Sequence, residues 1–165
     1  MGKYSAIVLL AAIAASTGAA HAQTANVARG KYLASFAGCN DCHTPGNFMG
    51  KRDVSRTLGG SDVAFVIQGL GAFAGPNLTP DKETGLGNWS VDQIVTALKT
   101  GKRPDGRELA PIMPWRDFAN LTDSDVRSIA LYLKNLPAIS NKVPGPFGPN
   151  DKVNMFTMRL TPPPQ

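Results

Sequence analysis

The sequence predicts a mostly α-helical fold: three to four short helices separated by long loops, with a short strand or small β-hairpin inserted among them. Three observations carry this expectation. Three stretches are helix-like, two with a clear apolar period near 3.6, and each opens on a residue that caps helices. Between Thr44 and Thr79 there is no sustained helical period. The 17 glycines and 13 prolines among 165 residues exceed the average of roughly 12% yet stay below the roughly 25–30% of low-complexity chains. Loops are therefore many, and one core suffices.

Composition excludes several classes at once. Two cysteines are too few for a multi-disulfide scaffold. The longest apolar run falls short of the about 20 residues a membrane span needs. The formal charge of +5 is not concentrated into an arm dense enough to grip nucleic acid.

The chain opens on an expected signal peptide, residues 1–22. Lys3 supplies the positive start, Ala6 to Ala15 is uninterrupted and apolar, and Ser16-Thr17-Gly18 breaks it. Ala20-His21-Ala22 fits the small-x-small cleavage rule. An uncleaved anchor is the competing reading, disfavoured by the polar break. Residues 23–137 form the expected domain, soluble in the periplasm, in which His43 is the single histidine once His21 is removed. Residues 138–165 read as a Pro-rich, extended tail.

Within the domain, Asn26 can cap a helix from Val27 to about Ala37, with Val27, Gly30, Ala34 and Ala37 on one face. Val63 to Ile67, bounded by glycines, reads as a short strand, or as a hairpin with Ala72-Phe73. Ser90 with Gln93 forms a capping box opening a helix to Thr100, which Gly101 stops. Thr122 with Asp125 opens the last helix, striped by Val126, Ile129, Ala130, Leu133 and Leu136, which Pro137 ends.

The chemistry lies in Cys39-Asn40-Asp41-Cys42-His43, the CxxCH haem-attachment sequence. One helical turn places positions i, i+3 and i+4 on one face. Two thiols can then form thioethers with the haem vinyl groups while the neighbouring imidazole reaches the iron. A zinc site lacks its fourth ligand. A thioredoxin-like motif wants a strand before it, and a plain disulfide leaves His43 unexplained. One covalently bound haem c is therefore expected, with His43 as one axial iron ligand. The sixth ligand falls among Met49, Met113, Met155, Met158 and water. Met113 is favoured because Pro111 and Pro114 stiffen its loop.

The chain resembles class I c-type cytochromes. It is most similar to the single-haem modules of cytochrome subunits from bacterial periplasmic alcohol and aldehyde dehydrogenases. The resemblance rests on Ala28-Arg29-Gly30-x-Tyr32-Leu33-Ala34, Cys39 to Thr44, Asn77-Leu78-Thr79-Pro80-Asp81, Gly85-x-Gly87-Asn88-Trp89-Ser90, Asp105-Gly106-Arg107, Met113-Pro114 and Leu131-Tyr132-Leu133. It implies the cytochrome c fold wrapped around the haem, with His43 and Met113 as axial ligands. It implies that the first and last helices cross at Gly30. It further implies that the Pro76 carbonyl accepts the His43 Nδ1 proton, and that Trp89 also stands beside the haem site. Those subunits usually carry three modules, whereas this chain has one.

The expected function is a periplasmic monohaem cytochrome that carries single electrons between redox proteins and is not itself an enzyme. A dehydrogenase would be the donor, and an oxidase or another cytochrome the acceptor. The alternative is a dedicated electron-transfer subunit of a periplasmic dehydrogenase. A weaker alternative is a haem enzyme or sensor. Lys99, Lys102, Arg103, Arg107 and Arg116 flank Met113 and are expected to present a basic rim to an acidic partner.

Overall fold

Asn26 opens the first helix, its Oδ1 accepting from the Arg29 backbone N–H at 2.8 Å, and α1 runs Val27–Phe36. The computed structural model describes residues 24–159. The signal peptide read at 1–22 and the last six residues of the tail lie outside the described residues. After α1 come α2 (Cys39–His43), a 3-10 turn (Val54–Arg56), β1 (Val63–Ile67), β2 (Gly71–Ala74), α3 (Val91–Thr100), α4 (Trp115–Phe118), α5 (Asp123–Lys134) and β3 (Phe156–Arg159).

Helix α1 packs across α5, and Gly30 is the reason it can. A Cβ built there would overlap the Ser128 carbonyl oxygen and stand 2.8 Å from the Tyr132 Cβ. Two polar contacts register the crossing. The Asn26 N–H donates to Ser128 Oγ at 3.1 Å, and the Arg29 guanidinium pairs with Asp125 at 2.9 Å.

Helix α3 begins at the expected capping box, Ser90 with Gln93, and stops at Gly101 in the left-handed region at φ 72°. Its Ile94 and Ala97 face α5, whose buried face is Val126, Ile129, Ala130 and Leu133. The pairs Arg127–Asp92, at 2.6 Å, and Lys99–Asp123, at 2.8 Å, also join these helices. Their aspartates lie in solvent, where such pairs contribute little to stability. Each buried Ile or Leu contributes about 1.5–3 kcal/mol, so apolar packing sets this contact.

The expected hairpin is present, with Ala64 opposite Ala74, Phe65 opposite Phe73 and Val66 opposite Ala72. The sequence gives no sign of a third strand, yet β3 pairs in parallel with β1, giving the order β2-β1-β3. Residues 138–159 thus carry no helix and fold back on the hairpin through Phe147 and β3. Helix α4 is likewise new. Four residues carry no readable period and hold their shape only through tertiary contacts.

Two outcomes follow. Gly30→Ala should lower unfolding stability by about 1–3 kcal/mol, the usual cost of overpacking, in denaturant melts where Lys31→Ala changes little. Acid should destabilise through the aspartates. A hydrogen bond from the Ser55 hydroxyl, aided by Arg56, holds Asp53 down to about 2. Asp81, Asp105, Asp123 and Asp125 are also held below the ordinary carboxylate value. A depressed folded value gives stability that is complete above the unfolded value near 3.8 and is lost as pH falls through the folded one. Melting temperature should therefore drop as pH is lowered from about 4 to about 2, followed by circular dichroism.

Candidate functional site

Gly38, in the left-handed region at φ 68°, turns the chain from α1 into α2. That single turn places Cys39, Cys42 and His43 on one side, as the spacing requires. Neither cysteine is in a disulfide. Burial pushes the Cys39 thiol up to about 11, with smaller contributions from Cys42 and Asp41. It also raises that of Cys42, where Asp41 adds its negative charge. Both sulfurs are therefore neutral thiols at neutral pH.

His43 is buried, and its Nδ1 lies 2.8 Å from the Pro76 carbonyl oxygen. A carbonyl can only accept, so Nδ1 carries the proton and Nε2 holds the free lone pair. Burial lowers the imidazole pKa, opposed by the Pro76 carbonyl. The ring is thus neutral, in one tautomer, with a single nitrogen available to a metal.

The backbone around α2 holds that ring in place. A Cβ at Gly75 would overlap the Cys42 carbonyl oxygen and stand 3.1 Å from His43 Nδ1, so glycine is what lets the Pro76 segment approach. The Gly60 N–H donates to the His43 carbonyl at 2.8 Å. The Thr44 hydroxyl donates to Asn40 Oδ1 at 2.9 Å and accepts from the Leu58 N–H at 2.9 Å. Spacing alone does not mark Gly60, Gly75 or Thr44 as site residues; the Gly59-Gly60 and Gly75-Pro76 pairs are the only signal the sequence carries for the first two.

The structure brings Cys39, Cys42, His43 and Pro76 together. Trp89 is half-buried and packs on the hydrophobic cluster of Leu33, Leu58, Leu86, Ile94, Ile129, Ala130 and Leu133, on which Cys39 also packs. Met113 is half-buried in a turn where its N–H donates to the Ala110 carbonyl at 2.9 Å and its carbonyl accepts from the Trp115 N–H at 2.8 Å. The expected basic rim is mostly committed elsewhere. Lys99 bonds Asp123 and the Leu121 carbonyl, and Arg107 bonds Asp105 at 2.7 Å. The Arg103 and Arg116 guanidinium groups stand 5.3 Å and 4.4 Å from the ring centres of Trp89 and Trp115.

These residues fit a covalent haem on their own chemistry. Two undisulfided thiols and a tautomer-locked imidazole share one helical turn, and the flanking cluster is apolar. A Cytochrome c family model matches residues 27–137. The chain belongs to the cytochrome c family. It is 37% identical over 138 residues to the cytochrome c subunit of a quinone alcohol dehydrogenase from Gluconobacter oxydans, covering 80% of this chain and 27% of that protein. It is 35% identical to a fructose dehydrogenase cytochrome subunit from Gluconobacter japonicus, covering 78% and 26%. A diheme cytochrome c-type protein from Cereibacter sphaeroides is 40% identical, covering 67% and 36%. The chain thus spans about a quarter to a third of the length of these relatives.

For a cytochrome c, covalent haem c and an electron-transfer role follow. The fold class read from the sequence is likewise that of the family. The protein's own core is small: among the described aromatic residues only Phe118 is buried. Ordering each residue costs about 1–2 kcal/mol of backbone entropy, so the polypeptide alone is marginal. A Cys39→Ser, Cys42→Ser double variant purified without haem should lose most of its far-ultraviolet helical signal. A native-like spectrum would contradict this.

Proposed function

We propose that this cytochrome c is a periplasmic, monohaem carrier of single electrons between redox proteins, with His43 and Met113 as the axial iron ligands. The observation that carries the reading is the His43 Nδ1–Pro76 contact of 2.8 Å, which leaves Nε2 of the one histidine in the described chain for the iron. The sequence holds one CxxCH motif, at Cys39 to His43, which supports a single haem. Haem c supplies a reversible one-electron couple when bound. Cys39 and Cys42 would tether it, and His43 would donate from one side with a basicity raised by the Pro76 carbonyl.

Met113 suits the opposite side because its backbone is held. Pro111 and Pro114 restrict the loop, both main-chain groups of Met113 are bonded, and Trp115 lies against Gly101 at the end of α3. Trp89 would line the site from the cluster it shares with Cys39. With both axial positions taken by the protein, substrate binding at iron is disfavoured.

Export rests on the signal-like residues 1–22, and among the described residues no helix is long and apolar enough to cross a membrane. A second reading, a dedicated subunit of a periplasmic dehydrogenase, is favoured by the similarity to the dehydrogenase cytochrome subunits. In either case a dehydrogenase is the donor, and an oxidase or another cytochrome the acceptor. Co-purification from the native periplasm with haem staining separates the two: a stable dehydrogenase complex supports the subunit, and a free haem protein the shuttle.

Met113→Ala should leave haem covalently attached, abolish the far-red Met–iron charge-transfer band and lower the midpoint potential. Persistence of that band would rule out Met113 and turn attention to Met155 and Met158.

A further inference from the structure

The chain beyond the family match at Pro137 returns to the two segments that hold His43. One segment is Gly59-Gly60. The Gly60 N–H bonds the His43 carbonyl at 2.8 Å. Its neighbour Gly59 offers its own carbonyl to Asn141 Nδ2 at 2.7 Å. Gly60 has φ 108°, and a Cβ there would overlap Val143, so the tail lies directly on it.

The other segment is Pro76-Asn77-Leu78-Thr79. Pro76 accepts from His43 Nδ1. The next residue, Asn77, is buried, and its Nδ2 donates to the Ile139 carbonyl at 2.6 Å and to Thr84 Oγ1 at 2.9 Å. Buried Thr79 accepts from the Ile139 N–H at 3.1 Å and donates to Asn77 Oδ1 at 2.8 Å. The Asn141 N–H completes the set, donating to Thr84 Oγ1 at 3.0 Å. Further along, Ala72 and Phe147 exchange both main-chain bonds at 3.0 Å, and β3 pairs with β1.

We propose that residues 138–147 are a strap that positions the Pro76 carbonyl, and through it the His43 ring, with Asn77, Thr79 and Asn141 as the positioning residues. The strap grips residue 77, adjacent to the acceptor of the Nδ1 proton, and residue 59, adjacent to the donor on the His43 carbonyl. Both ends of His43 are therefore referred to one external element. A carbonyl so held keeps the Nδ1 bond short and the imidazole basic. Such a contact behind a ligand raises its basicity and tunes the metal. The strap would thereby bias the haem potential through the His43 ring. The proposal rests on His43 being an iron ligand.

The test uses the full-length, haem-loaded protein. Asn141→Ala and Thr79→Val should each speed exchange of the His43 Nδ1 proton with solvent by about five- to tenfold, the size expected for one weakened hydrogen bond. Both should raise the midpoint potential, because a less basic imidazole favours the reduced iron. Thr79→Ser, which keeps the hydroxyl, should restore both readouts. Gly30→Ala destabilises the α1–α5 crossing away from the strap and should leave both unchanged. Unchanged exchange and potential in Asn141→Ala would overturn the strap, as would an equal shift in Gly30→Ala. If Thr79→Val fails to fold, Asn141→Ala decides alone. Failure of the ligand reading would appear separately, as a wild-type protein without a paramagnetically shifted His43 ring.

Discussion

The contact between His43 Nδ1 and the Pro76 carbonyl, at 2.8 Å, governs the geometry of the site. One bond selects the tautomer, orients the ring and leaves one nitrogen for metal. It is possible only because Gly75 has no side chain to meet the Cys42 carbonyl. The loop between α2 and α3, which lacks helical periodicity, is organised around this approach. Its short hairpin, its paired glycines and its buried Asn77 and Thr79 all serve to bring residue 76 back to residue 43.

The helical frame is economical by comparison. Helices α1, α3 and α5 bury small and medium apolar side chains, and their crossing is set by Gly30 against Ser128 and Tyr132. The ion pairs between α3 and α5 are exposed and contribute little. A frame of this size leaves the described aromatic residues mostly half-buried.

Most charges near Met113 have a partner on the chain itself. Arg103 and Arg116 lie over Trp89 and Trp115, while Lys99 and Arg107 meet aspartates. Cation–aromatic contacts at such accessible positions are worth about 0.5–1 kcal/mol, enough to bias where the Arg103 and Arg116 heads rest. These contacts tie the cations to the Trp89 and Trp115 rings. Lys102 is exposed, and its main chain bridges to Glu108.

The features legible from sequence are local ones. The Asn26, Ser90 and Thr122 caps, the Gly101 stop and the hairpin are written within a few residues of one another, because capping bonds and strand turns span short distances. The caps and stops predict α1, α3 and α5 to within two residues at each end, with α1 ending at Phe36 and α5 at Lys134. The Cys39, Cys42, His43 triad was equally legible, since one helical turn suffices to gather it. The resemblance added Pro76 and the crossing at Gly30, neither of which spacing could supply. Tertiary structure alone decided the rest. Helix α4 is too short to carry a period. The pairing of β3 with β1 is made of main-chain bonds that no side-chain pattern announces. The bonds from Ile139 and Asn141 to Asn77, Thr79 and Gly59 join residues about sixty to eighty positions apart, and such contacts exist only once the chain has folded back upon itself.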